Sequence, residues 1–138
     1  MPWVSAWWFW LRRECCDAVD SGTVRVAPER ADQDPFSTPA LLRQLASDYL
    51  AGADPKTPLA SPLFASLSGL PPLLIQAGTA DLLLSDAERL AAAARRAGVD
   101  VTLHIGEGLP HVYPIMLGTP EAAQATEQTG NFLRTRVP

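Results

Sequence analysis

From Leu41 the apolar residues recur at helical spacing: Leu41, Leu42, Leu45, Ala46, Tyr49 and Leu50. Thr38 stands just ahead as a candidate N-cap, with Pro39 at the first helical position, where a missing N–H costs nothing. Gly52 is placed to stop this helix. The stretch AGADPKTPLASPL is punctuated by Pro and Gly and reads as an ordered loop. Leu73 to Ala77 (LLIQA) is a short apolar run between Pro71-Pro72 and Gly78, a pattern that suits a strand buried on both faces. Ser85 and Glu88 have the spacing of a capping box. Ala87, Leu90, Ala91, Ala94 and Ala97 follow as a narrow apolar stripe, with Arg95 and Arg96 in the last turn and Gly98 just past the end. Val101 to Ile105 (VTLHI) alternates and predicts a second strand. Residues 106–118 read as a loop, and Thr119-Pro120-Glu121 opens a final helix that should carry Phe132 and Leu133 inward.

The order from residue 73 is strand, helix, strand, loop, helix. That is a βαβ unit with a following helix, so the two short strands should lie parallel, adjacent and flanked by helices in an α/β fold. Residues 1–33 read differently from 34–138. All four Trp residues (Trp3, Trp7, Trp8 and Trp10) crowd into the start, and no clear period follows apart from Thr23 to Ala27, which alternates like a short strand.

Composition narrows the function classes. A chain that is 47% apolar and 19% charged has the makeup of a folded domain, not of a disordered tail. A net charge of −4 argues against a nucleic-acid partner, because nothing would neutralise phosphates in bulk. The opening MPWVSAWWFW has no basic region before it and falls far short of the ~20 apolar residues that cross a bilayer, so no membrane span is expected. The two cysteines, Cys15 and Cys16, are adjacent and poorly placed to bridge each other, which makes the reducing cytoplasm the default compartment.

In an open parallel sheet, sites form at the carboxyl ends of the strands. Asp81 follows the first predicted strand by four residues, and His111 follows the second by six. Neighbouring strands lie about 4.8 Å apart, so two loops leaving the same edge can join a carboxylate to an imidazole 30 residues away. A carboxylate that holds a histidine in one tautomer is the orienting half of a nucleophilic triad. On spacing alone, a loop cap and a solvated histidine explain the same two residues. His104, in mid-strand, reads as structural. Asp86 reads as a first-turn helix residue, and Ser66 and Ser68 as turn residues. No two glycines stand four apart, so there is no G-x-S-x-G elbow for a nucleophile, and there is no His-Gly-Gly oxyanion sequence.

The pieces P-L-A-S-P-L, S-G-L-P-P-L-L-I-Q-A-G, R-R-A-G-V-D-V and G-L-P-H-V stand in order between Asp34 and Phe132. Together they closely resemble the hormone-sensitive-lipase branch of the α/β-hydrolases, the bacterial fold-3 esterases, in their carboxyl-terminal portion. Pro2-Trp3-Val4 is similar to the strand end after the nucleophile in that family, whereas residues 5–33 do not follow its pattern. The resemblance implies that Asp81 is the triad acid, His111 the triad base, and Asp86 a supporting acidic residue. It also implies a cofactor-free hydrolysis of small carboxylic esters with short to medium acyl chains. The serine and the HGGG loop of the family have no counterpart, so this chain alone should be a very poor esterase. A non-catalytic module that associates with a missing amino-terminal half, or with copies of itself, is the alternative. A flavodoxin-like binding domain would need a glycine-rich phosphate loop that the sequence lacks.

Overall fold

The computed structural model describes residues 32–136. The expected Thr23–Ala27 strand and the Trp cluster lie outside the described residues. Three helices and two strands make up the regular structure: α1 (Pro39–Leu50), β1 (Leu73–Ala80), α2 (Leu84–Arg96), β2 (Val101–Pro110) and α3 (Pro120–Arg134). Short 3-10 turns at Pro62–Phe64 and Tyr113–Ile115 complete the path.

β1 and β2 pair in parallel, with Leu73 opposite Val101 and Ile75 opposite Leu103. The fold is an α/β arrangement of parallel strands flanked by helices. Side chains of a strand alternate between faces, and the two faces of β1 are built differently. Ile75 joins a core with Leu67, Leu90, Ala91, Ala94 and Val99, and Leu73, Val101 and Leu103 pack against it. The α2 stripe ends at Cβ where it meets the sheet: Ala91 and Ala94 are completely buried, and their small size lets the helix approach closely. The opposite face of β1 meets α3 and is partly polar. Gln76 Nε2 donates to the Ala125 carbonyl at 3.1 Å and to Gln128 Oε1 at 3.0 Å, so this half-buried amide is satisfied.

The helix ends follow local chemistry. Thr38 Oγ1 accepts the Leu41 N–H at 3.1 Å, as an N-cap should, and Thr119 does the same for Ala122 at 3.2 Å. α1 ends at Leu50, two residues before Gly52: the C-cap Ala51 takes the left-handed conformation (φ 46°), and Gly52 continues it (φ 87°). Gly98, at φ 82°, ends α2 as expected.

Four sequence expectations need correction. Both strands run further than the apolar runs suggested, β1 to Ala80 and β2 to Pro110, because main-chain pairing continues past the point where Gly interrupts the side-chain pattern. The 106–118 loop is accordingly shorter. Ser85 is already inside α2, so it does not cap; Leu83 holds the N-cap position and makes no side-chain cap bond. Phe132 is buried, but Leu133 is 40% exposed. One residue is a rotation of about 100° on a helix, and the inward face is set by Ala122, Ala125 and Phe132.

Candidate active site

Because the strands extend, Asp81 and His111 are the residues immediately following β1 and β2. His111 Nδ1 lies 3.0 Å from Asp81 Oδ2. A carboxylate accepts only, so this contact is a hydrogen bond with the proton on Nδ1, and that tautomer leaves Nε2 as the basic nitrogen. The other carboxylate oxygen, Oδ1, accepts the Leu83 N–H at 2.8 Å, which fixes the carboxylate plane. The Asp81 side chain is 8% exposed and that of His111 17%, so water competes little for the bond.

The turn that carries Asp81 is held from a distant part of the chain. Asp34, itself buried, accepts the N–H groups of Phe36 (2.9 Å) and Ser37 (3.0 Å) through Oδ1. Its Oδ2 accepts the Leu82 N–H at 3.2 Å. Three main-chain donors therefore converge on one carboxylate, and two of them, the Ser37 and Leu82 N–H groups, are in buried bonds.

On the β2 side, the ladder is regular as far as Gly78 opposite Gly106, and then Ala80 stands opposite Pro110. Two residue steps on β1 are matched by four on β2, a bulge that includes Gly108 at φ 68°. Gly108 N–H donates to Thr79 Oγ1 at 2.7 Å. Directly after His111, Val112 has φ 52° and ψ 27°. Left-handed backbone at a β-branched residue is strained, and such strain gathers where surrounding structure overrides local preference.

Asp86, in the first turn of α2, pairs with Arg89 at 3.0 Å through Oδ1, while its Oδ2 is buried with no hydrogen-bond partner among the described residues. Burial raises its pKa to about 6, and the Arg89 charge opposes that rise only in part. Burial likewise pushes the Tyr113 phenol above its ordinary range. Among the described residues, no group of three or more His, Cys, Asp or Glu side chains is placed to hold a metal ion, and no helix is long and apolar enough to cross a membrane.

A family model described as alpha/beta hydrolase fold matches residues 15–115. The chain belongs to the α/β-hydrolase fold family. It is 47% identical over 98 residues to an acetyl-hydrolase of Streptomyces hygroscopicus, covering 68% of this chain and 32% of that protein. Among solved structures it is similar to an esterase from the bacterial hormone-sensitive lipase family, with a TM-score of 0.77 and 41% identity, covering 80% of this chain and 37% of that one. It is also similar to a hormone-sensitive-lipase homologue from a metagenome library, with a TM-score of 0.80 and 36% identity, covering 87% and 42%. The chain thus spans about a third of the length of the acetyl-hydrolase it matches.

Within this α/β-hydrolase chain, the two residues singled out for acid–base chemistry meet, and the others do not join them. His104 is in mid-β2 opposite Gln76 and faces α3, where it lines a cleft with Gln128. Ser66 and Ser68 are exposed and precede the amino end of β1, whereas Asp81 follows its carboxyl end. Asp34 and Thr79 escaped the sequence reading. A D-P-F-S turn motif was the available signal for Asp34, since Asp readily caps the N–H groups two and three residues on. Thr79 carried no signal.

Proposed function

We propose that this chain supplies the acid and the base of a carboxylic ester hydrolase with a serine–histidine–acid mechanism. The observation that carries this reading is the 3.0 Å bond between His111 Nδ1 and the buried Asp81 carboxylate, at the carboxyl ends of adjacent parallel strands. Relatives named acetyl-hydrolase and esterase support a small carboxylic ester as the substrate class, and we extend this to short and medium acyl chains.

In this mechanism Asp81 keeps the Nδ1 proton in place and stabilises the imidazolium that forms. His111 takes the serine proton on Nε2, and the alkoxide forms a bond to the acyl carbon. The same proton then passes to the leaving alcohol as the carbon–oxygen ester bond breaks. Water, deprotonated by His111 in turn, releases the acid and restores the serine. The 138 residues contain no G-x-S-x-G sequence, so the nucleophile belongs to a segment outside them.

The experiment is a p-nitrophenyl butyrate assay on the chain alone and on the chain mixed with the serine-bearing amino-terminal portion of the acetyl-hydrolase relative. Little or no turnover is expected from the chain alone, because triad members act as a unit. The mixture should hydrolyse the ester, and His111→Ala should abolish this. Turnover by the mixture that survives His111→Ala removes His111 from the mechanism. Robust turnover by the chain alone, lost in that variant, shows instead that the chain carries its own nucleophile.

A further inference from the structure

We propose that Thr79 is a positioning residue: its hydroxyl holds the β2 bulge in the shape that brings His111 to Asp81. This rests on the acid–base reading of the pair, and it concerns what sets their distance.

Register makes the argument. Gly78 stands opposite Gly106, so an unbroken ladder would put Asp81 opposite Leu109 and leave His111 two residues further along. Two residues of strand are about 6.6 Å, beyond any hydrogen bond to Asp81. The bulge absorbs those two residues, and Pro110, just before His111, comes to lie opposite Ala80, just before Asp81. The imidazole and the carboxylate are thereby level.

Two contacts hold the extra residues in place. The Gly108 N–H donates to a side chain of the neighbouring strand: Thr79 Oγ1 accepts it at 2.7 Å, a bond across 29 residues from the strand that leads into Asp81. Beside it, the Leu109 carbonyl folds back over Gly78 so closely that a Cβ built there would be 1.9 Å from the oxygen. A Cβ on Gly106 would likewise meet the Leu109 side chain at 2.4 Å. The glycines make room for the bulge, and Thr79 is the side chain among the described residues that bonds to it. The Thr79 hydroxyl therefore links the end of β1, which leads into the acid, to the end of β2, which leads into the base.

The test uses the full chain, labelled with 15N. The His111 Nδ1 proton, bonded to a carboxylate, should give a downfield signal protected from exchange, assigned by its loss in Asp81→Asn and His111→Gln. Thr79→Val keeps the shape but removes the acceptor; Thr79→Ser keeps the acceptor. We expect the signal to be lost or shifted upfield in Thr79→Val and Thr79→Ala and retained in Thr79→Ser, with far-UV circular dichroism unchanged in all three. In the mixture with the serine-bearing portion, kcat should fall by up to about 100-fold in Thr79→Val with KM unchanged, and recover in Thr79→Ser. An unaltered His111 signal in folded Thr79→Val overturns the proposal. So does loss of fold in both Thr79→Val and Thr79→Ala, which would make the hydroxyl a structural requirement. If the mixture shows no turnover at all, the acid–base reading fails, while the proton signal still decides the positioning role.

Discussion

Asp34 Oδ2 accepts the main-chain N–H of Leu82 across 48 residues of sequence, and this bond ties the turn of Asp81 to the segment before α1. Leu82 is 1% exposed, so its N–H is shielded from bulk water. Asp34→Ala strands the Leu82 N–H and loosens two further donors. A loss of about 2–3 kcal/mol is expected, since a buried unpaired donor costs its full desolvation. Urea unfolding of Asp34→Ala and Asp34→Asn checks this; Asn keeps an acceptor and should lose less. Equal losses would show that the carboxylate's bonds contribute little.

Asp81→Asn tests the orienting role directly. An amide can present its NH2 group to His111 Nδ1, which favours the tautomer with the proton on Nε2 and spoils the base. In the mixture with a serine-bearing portion, kcat should fall by about 10⁴-fold with little change in KM. A drop of less than tenfold would assign the carboxylate a structural role.

Asp86 should make stability depend on pH. Its folded pKa of about 6 lies above the 3.8 of an unperturbed Asp, so the folded state holds the proton more tightly than the unfolded chain does. The stability contributed by the protonated form is therefore complete below about pH 3.8 and is lost as pH rises towards 6. Above pH 6 the buried carboxylate is ionised at a cost of about 1–3 kcal/mol. Asp86→Asn should raise the melting temperature at pH 7.5 and change it little at pH 4. The same shift at both pH values would contradict a desolvated carboxylate.

Ala51 ends α1 in left-handed backbone at φ 46° and is exposed. Glycine occupies that conformation without a Cβ clash, so Ala51→Gly should stabilise the chain by about 0.5–1 kcal/mol. Chemical denaturation gives the sign. Destabilisation would mean that the entropy glycine adds to the unfolded chain outweighs the relief of strain.

Much of the architecture was legible in the sequence because it is written in local signals. The Ala-rich stripe from Ala87 to Ala97, closed by Gly98, specifies one helix face and one stop, and both were found. The Leu73–Ala77 run and the alternating Val101–Ile105 run were found as parallel neighbours, since a helix between two strands allows little else. The boundaries were harder. Glycines at 78 and 106 interrupt the side-chain pattern that marks a strand, but not the main-chain bonds that make one. Ser85–Glu88 imitates a capping box, yet the bonds from the Leu83 and Leu84 N–H groups to Asp81 settle the start of that helix.

By itself the sequence determined the α/β order, the helix stripes, and the two chemically suggestive residues at strand ends. The tertiary structure alone decided their distance. A two-residue bulge has no hydrophobic signature, because it changes the main-chain register while leaving side-chain polarity as it was. The same holds for Asp34 and Thr79, whose partners lie 48 and 29 residues away. Patterns of polarity report which way a side chain faces; which distant N–H it meets depends on how the chain closes in three dimensions.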